Sequence, residues 1–205
     1  MKKVILVVVL ITLVAGVSLW ALRKEREITN FPPKDGPIVA FGDSLIEGVG
    51  ATAGVDLPAL LSEKIGEPII NMGASGETSA EGLARVDKVT AQNPSVVLVL
   101  FGGNDLLRKI SKNQTFENLD KIILRLQESG AVVILLGIRG GLLSDGYDGN
   151  FENLAKGRRA LYVPDVLNGI FGHPKFMSDG IHPNNEGYVK IADKIYPVLK
   201  RALDK

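Results

Sequence analysis

Two apolar runs constrain the fold of this chain more than any other feature of its sequence. They predict strands at Val96–Phe101 and Val132–Ile138. A strand with one face in water alternates apolar and polar residues, whereas a strand that is apolar throughout must be covered on both faces. The runs therefore predict a parallel β-sheet between layers of helices. Shorter runs at residues 38–41 and 68–71 predict two further strands.

Amphipathic stretches separate the predicted strands. Between Phe116 and Ser129, apolar residues recur every three or four positions, as on one face of a helix, and Gly130 favours a left-handed end. Thr78 and Glu81 have the spacing of a capping box, which marks a helix start. Helices are predicted at residues 58–65, 79–89, 116–129, 151–158 and about 186–203. The glycine-rich residues 139–149 predict a mobile loop.

The N-terminal segment differs from the rest of the chain. Residues 4–22 are uncharged and mostly Val, Leu and Ile; as a hydrophobic helix they would extend about 28 Å, nearly the thickness of a bilayer core. We favour a membrane anchor (residues 1–22) over a cleaved signal, because the possible small-residue cleavage sites lie inside the run. Residues 23–36, rich in charges and helix breakers, predict a linker, and residues 37–205 one catalytic domain.

The orientation of this anchor is less constrained by sequence. Lys2 and Lys3 precede the run and Arg23, Lys24 and Arg26 follow it, so the positive-inside rule is nearly balanced. We expect a single-pass protein with its domain outside the cytoplasm.

Charge and residue counts disfavour several classes of function. The 24 basic and 23 acidic side chains leave a net charge of +1, which offers no footprint for nucleic acid. Cysteine is absent, which excludes disulfides and thiol catalysis. The two histidines, His173 and His182, do not have the spacing of a transition-metal site. We expect a monomer that uses no metal and no cofactor.

Three loops after predicted strands carry glycine and polar residues, at the sheet edge where α/β folds bind ligands. Their sequences are Gly42-Asp43-Ser44-Leu45, Gly73-Ala74-Ser75-Gly76-Glu77-Thr78 and Gly102-Gly103-Asn104-Asp105. A fourth block precedes the last predicted helix and reads Ser178-Asp179-Gly180-Ile181-His182-Pro183-Asn184. Each block alone is weak evidence, since Ser44 also suits a helix cap and Asp105 an ordinary turn.

Together and in this order, the four blocks resemble the SGNH hydrolases, also called the GDSL esterase/lipase family. The likeness is to the thioesterase I/lysophospholipase L1/arylesterase branch and covers about residues 38–203. It implies a flavodoxin-like, three-layer α/β/α sandwich with a parallel sheet. It also implies a nucleophile at Ser44, an aspartate and a histidine at Asp179 and His182, and an oxyanion hole formed by Ser44, Gly76 and Asn104.

These residue types suit acyl transfer. A serine hydroxyl is a poor nucleophile at neutral pH and needs a base, for which an imidazole is well matched. His182 would accept the proton and Asp179 would orient its ring. We expect Asp43 and Asn184 to hold the loops through backbone hydrogen bonds. Arg139, past the fourth strand, either faces the site or lies in solvent.

Three functions stay open on sequence alone. The leading one is hydrolysis of carboxylic esters or acyl thioesters through an acyl-serine intermediate, with a small acyl ester or lipid as substrate. The second is removal of O-acetyl groups from cell-envelope carbohydrate. The third is a catalytically silent binding module tethered to the membrane.

Overall fold

A parallel five-stranded sheet forms the centre of the molecule. The structure, a computed structural model, describes residues 27–138 and 147–204. In these residues the strands lie in the order β2-β1-β3-β4-β5 and every neighbouring pair is parallel. The strands are β1 (Ile38–Gly42), β2 (Ile69–Gly73), β3 (Val96–Leu100), β4 (Val132–Leu136) and β5 (Leu161–Val163).

Helices follow each of the first four strands. They are α1 (Ser44–Glu47), α2 (Leu57–Ile65), α3 (Ser79–Thr90), α4 (Gly103–Leu107), α5 (Lys112–Glu128), α6 (Tyr147–Arg158) and α7 (Asn185–Leu203). A short 3₁₀ helix, Pro174–Phe176, precedes α7. The predicted capping box is present, with Thr78 and Glu81 each binding the other's backbone amide at the start of α3.

The helices cover both faces of the sheet. Helix α5 packs against α3 and α6, whereas α2 packs against α7. Right-handed crossovers place these two groups on opposite faces, because β2 lies on one side of β1 and β3 on the other. All residues of β1, β3 and β4 are buried, as their apolar composition predicts. The predicted α/β fold with a flavodoxin-like parallel sheet is thus confirmed.

Some boundaries differ from the prediction. Helix α5 starts at Lys112, four residues early, because the Ser111 side chain caps it. Helix α6 starts at Tyr147, so the loop predicted through Gly149 is wrong for its last residues. The Tyr147 ring packs 5.4 Å from the Phe116 ring, which joins this first turn to α5. Strand β5 and helix α4 were not predicted.

The predicted N-terminal helix at residues 4–22 lies outside the described residues, as do Arg139 and the rest of residues 139–146. Within residues 27–138 and 147–204, no helix has the length and apolar character needed to cross a bilayer. The boundaries proposed for anchor, linker and domain stay predictions.

Candidate active site

Ser44 lies where β1 ends and α1 begins. Asp43 caps the helix, and its carboxylate accepts a hydrogen bond of 3.0 Å from the Leu45 amide. Ser44 is the first residue of α1 and is 8% exposed, on the floor of a cleft at the carboxyl edge of the sheet. The amides of a first helical turn have no partner within the helix. The Ser44 amide therefore belongs to a set of backbone donors at the cleft.

The capping carboxylate is itself unusual, because Asp43 is almost completely buried. Burial raises its pKa from 3.8 to about 7, against the lowering effect of the Leu45 amide; the negative charge of Asp105 adds to the increase. The expected backbone hydrogen bond of Asp43 is confirmed. Its pKa of about 7 means that the carboxyl group beside Ser44 titrates near neutral pH.

Ser44 and His182, which are 138 residues apart in sequence, meet in this cleft. The Nε2 atom of His182 lies 3.1 Å from the Ser44 hydroxyl, and Nδ1 lies 2.8 Å from a carboxylate oxygen of Asp179. The other Asp179 oxygen accepts hydrogen bonds from the amides of Ile181 and His182. The bond from the His182 ring, followed by these amides, lowers the pKa of Asp179 to about 2. The three groups form one continuous hydrogen-bonded chain.

Asn184 holds the loop that carries Asp179 and His182. Its Nδ2 donates to the carbonyls of Lys175 and Met177, and its Oδ1 accepts from the Gly187 amide at the start of α7. These bonds confirm the role predicted for Asn184.

Gly50 allows this loop to approach the segment that follows Ser44. Its φ of +92° lies in the left-handed region. A Cβ atom at Gly50 would lie 2.3 Å from the Ser178 hydroxyl and 2.4 Å from the Pro183 carbonyl oxygen. Only glycine fits such a contact without displacement.

Asn104 lines the same cleft as Ser44 and His182. Its Nδ2 donates a 2.9 Å hydrogen bond to the carbonyl of Glu77, which fixes the plane of the side-chain amide. Gly76 has a φ of +79°, and its carbonyl accepts a hydrogen bond of 2.7 Å from Arg108. Gly76 is not among the residues that line the cleft, and its assignment to the oxyanion hole stays a prediction.

Asp105 has a larger structural role than the turn predicted for it. It is fully buried, and its carboxylate accepts hydrogen bonds from the amide and hydroxyl of Ser79 and from the hydroxyl of Thr115. These contacts tie the loop that carries Asn104 to the starts of α3 and α5. The available signal was a charged residue in the short block that follows the buried β3 run.

Sequence reasoning also missed Arg85, on α3. Its guanidinium donates to the carboxylate of Glu77 at 2.6 Å and to the carbonyls of Met72 and Gly42, both at 3.0 Å. Arg85 thereby connects the ends of β1 and β2 to the residue that binds Asn104. Its position beside Val86 on the sheet-facing side of α3 was the only sequence signal.

The wall of the cleft is mostly apolar. Its apolar residues come from α4, the end of β4, the segment before the 3₁₀ helix and the histidine loop: Leu106, Leu107, Ile138, Leu167, Phe171 and Ile181. Asp43 and His182 are the titratable residues that line it. No cluster of three metal-ligating side chains occurs in residues 27–138 or 147–204. The site therefore suits an uncharged acyl group.

Comparison with known proteins identifies the family. The model of the GDSL-like lipase/acylhydrolase family matches residues 40–190, which include all four sequence blocks. The chain belongs to this family. The predicted membership and enzyme class are thereby confirmed.

Curated members of the family are similar over most of this acylhydrolase. It is 30% identical to Esterase TesA of Pseudomonas aeruginosa, over 81% of this chain and 89% of that protein. It is 33% identical to "Thioesterase 1/protease 1/lysophospholipase L1" of Escherichia coli (strain K12), over 76% of this chain and 79% of that protein.

Solved structures of the family agree with the fold. A crystal structure of TesA superposes with a TM-score of 0.77 at 30% identity, covering 82% of this acylhydrolase and 99% of that chain. The psychrotrophic esterase EstA from Pseudoalteromonas sp. gives a TM-score of 0.75 at 27% identity, and the match covers 83% of this acylhydrolase and 100% of that chain.

Proposed function

We propose that this acylhydrolase cleaves carboxylic esters or acyl thioesters through an acyl-serine intermediate at Ser44. The observation that carries the proposal is the hydrogen-bonded chain from the Ser44 hydroxyl through His182 to Asp179, on the floor of an apolar cleft. Such a chain supplies a nucleophile, a base and an orienting carboxylate in one geometry.

The first half of the reaction acylates the enzyme. The Ser44 oxygen attacks the acyl carbon as its proton moves to Nε2 of His182, and Nδ1–H keeps its bond to Asp179. The negative oxygen of the tetrahedral intermediate is stabilised by the amides of Ser44 and Gly76 and the side-chain amide of Asn104. Each such donor contributes roughly 10²–10³ to turnover.

Collapse of the intermediate breaks the bond to the alcohol or thiol, which leaves with the proton from His182. A water molecule then attacks the acyl carbon and gives one proton to the same nitrogen. The second collapse releases the carboxylic acid and returns the proton to Ser44. The cycle returns Ser44 and His182 to their starting protonation states and needs no cofactor.

The lining of the cleft supports an acyl-chain substrate over a carbohydrate ester. Six apolar side chains form its wall. A longer acyl chain would bury its methylene groups against this wall, whereas an acetyl group would cover little of it. The relatives named as esterase, thioesterase and lysophospholipase accord with small acyl esters and lipids as substrates.

The test is labelling with a fluorophosphonate, combined with turnover of p-nitrophenyl esters of graded acyl length and of an acetylated xylan. We expect labelling and ester turnover that both disappear in Ser44→Ala. Turnover of acetylated xylan alone would support the carbohydrate O-acetylesterase. Absence of both labelling and turnover would support the silent module and contradict hydrolysis.

Residues 4–22 are proposed to anchor the enzyme as a monomer by a single span, with the catalytic domain outside the cytoplasm. The length and apolar composition of this run support the proposal. Carbonate extraction of membranes followed by protease treatment of spheroplasts tests it. Recovery in the soluble fraction would contradict the anchor, and protection from protease would contradict the orientation.

A further inference from the structure

Residues 28–36, named here the docked segment, lie against the sheet edge opposite to the cleft. The Thr29 amide donates a hydrogen bond of 2.9 Å to the carbonyl of Arg159. The Thr29 hydroxyl donates one of 3.2 Å to the carbonyl of Arg158. Both acceptors lie at the end of α6, directly before β5. The docked segment is therefore attached where a strand starts, whereas the catalytic loops follow strand ends.

Two further side chains of the docked segment bind at the same edge. Nδ2 of Asn30 donates hydrogen bonds to the carbonyl of Gln127, in the last turn of α5, at 2.8 Å and to that of Ala131, directly before β4, at 3.0 Å. Nζ of Lys34 donates a hydrogen bond of 2.7 Å to the Ser129 carbonyl and one of 2.6 Å to Oδ1 of Asn93, which precedes β3. The segment thus spans the connections that lead into three strands.

The strands separate this edge from the active site. Strands of five residues extend roughly 16 Å at about 3.3 Å per residue, and loops extend beyond them at both ends. A domain of about 170 residues is about 40 Å across. The docked segment and the Ser44–His182 pair therefore lie on opposite sides of the domain.

The chain between the predicted anchor and the docked segment is short. Only residues 23–27 separate Leu22 from Ile28, and five extended residues reach at most about 18 Å. Turning the cleft toward the bilayer would need a path around half of the domain, about 60 Å for this diameter. The tether cannot provide that path while the segment stays docked.

The surface beside the docked segment fits a position near a bilayer. Phe31 is 45% exposed, and it lines a groove with Glu27, Ile28, Leu161 and Arg201. Exposed Phe and Leu side chains can insert at the headgroup boundary of a bilayer, and Lys and Arg side chains beside them can bind anionic lipid headgroups. This surface supports the placement of the docked edge toward the membrane.

We infer that the docked segment holds the catalytic cleft away from the membrane that carries the anchor, so that the substrates are acyl esters in solution and not lipids of that bilayer. The inference rests on the proposed function, both for hydrolysis at Ser44 and for the anchor. It adds a geometric restriction on which esters reach the site.

Quenching measures the orientation directly. The full chain, reconstituted in phosphatidylcholine vesicles, is labelled at Ser44 with a fluorescent fluorophosphonate, and nitroxide-labelled headgroups act as a short-range quencher. We expect no quenching in the native chain. Quenching should appear when a flexible Gly/Ser linker of about 30 residues is inserted between Glu27 and Ile28, because its maximal reach of about 100 Å exceeds the required path. The same sequence appended after Lys205 is the matched control and should not cause quenching.

Activity provides the second measurement. Methylumbelliferyl butyrate in solution and methylumbelliferyl oleate within the same vesicles share a leaving group. The linker insertion should raise oleate turnover in vesicles roughly tenfold, because a site that a tether cannot reach has an effective concentration near zero. Butyrate turnover, and oleate turnover in detergent micelles, should stay unchanged.

The outcomes separate the two proposals. Quenching of the native chain to the level of the linker variant would overturn the inference, as would equal oleate turnover by both in vesicles. Failure of the chain to float with vesicles would remove the anchor and the inference with it. Absence of labelling and of butyrate turnover would instead refute hydrolysis at Ser44.

Discussion

The side-chain amide of Asn104 donates its hydrogen bond to the backbone carbonyl of Glu77, 27 residues earlier in the chain, at 2.9 Å. One N–H of the amide is used in this bond, and the plane of the group is fixed by it. The second N–H lies in the plane that this bond sets, on a residue that lines the same cleft as Ser44. An oxyanion donor needs this preorganisation, because a donor that must reorient during the reaction stabilises the transition state less.

Replacement of Asn104 by Ala should lower kcat by roughly 10²–10³, because one oxyanion donor is lost. KM should change little, since the charge that this donor stabilises develops only in the transition state. Steady-state kinetics with a p-nitrophenyl ester measure both. Asn168→Ala, which removes an exposed amide outside the cleft, should keep the native rate. An unchanged kcat in Asn104→Ala would exclude this residue from the oxyanion hole.

Replacement of Arg85 by Lys should lower both the thermal stability and kcat. A lysine cannot reproduce the planar donors that bind Glu77, Met72 and Gly42 together. The loss of these partly buried bonds should cost about 1–3 kcal/mol of unfolding free energy. Because Glu77 also positions Asn104, kcat should fall more than KM rises.

Arg125→Lys is the matched control for Arg85→Lys. Arg125 binds Asp87 at the surface, where the two side chains are 49% and 79% exposed. Exposed pairs contribute about 0–1 kcal/mol. Thermal unfolding and initial rates of both variants form the comparison. If the two variants lose equal stability and activity, Arg85 is not a positioning residue.

The sequence predicts the reacting groups better than the groups that position them. Ser44, Asp179 and His182 each lie in a short local block. The rule for strand ends places the block of Ser44, and the family resemblance assigns the roles of Asp179 and His182. Arg85 differs, because its function comes from contacts with Gly42 and Met72, which are 43 and 13 residues away. No local pattern contains that information.

The same reasoning explains the elements that were missed. Strand β5 has three residues, Leu161–Val163, and so few positions cannot establish a periodicity. The first turn of α6 contains Gly149, which predicts a loop. Packing of Tyr147 and Phe151 against Phe116 overrides that local preference.

Replacement of Gly50 by Ala should lower activity strongly. The added methyl group would overlap the Ser178 hydroxyl and the Pro183 carbonyl, at 2.3 and 2.4 Å. The loop that carries His182 must then move away from Ser44, and small misplacements of reacting groups cost about 10²-fold in rate. The backbone strain at positive φ should also reduce stability.

Gly157→Ala tests the same exchange without the steric conflict. Gly157 lies in α6, and a Cβ atom there has no neighbour within 4 Å. Alanine should stabilise the helix by about 0.5–1 kcal/mol and leave the rate unchanged. For both variants, chemical denaturation measures the stability and ester turnover measures the activity. Native activity in Gly50→Ala would show that the two loops do not need this close approach.

The buried carboxyl of Asp43 predicts a pH-dependent stability. Burial raises its pKa from 3.8 to about 7 in the folded chain. Between about pH 4 and pH 7, the unfolded chain has released this proton and the folded chain retains it, so the contribution of Asp43 to stability falls as pH rises. Above about pH 7 both states have released the proton, and the penalty becomes constant.

The Asp43→Asn variant tests this pH dependence. Its side-chain amide keeps an oxygen that can accept the hydrogen bond from the Leu45 amide, but the amide does not titrate. The unfolding free energy of Asp43→Asn relative to the native chain should therefore increase between about pH 4 and pH 7 and then level off. The increase should amount to a few kcal/mol, since one pKa unit corresponds to about 1.4 kcal/mol. Urea unfolding at several pH values measures this difference, with the exposed Asp87→Asn as control. A difference that stays the same at every pH would show that Asp43 is ionised in the folded protein throughout this range.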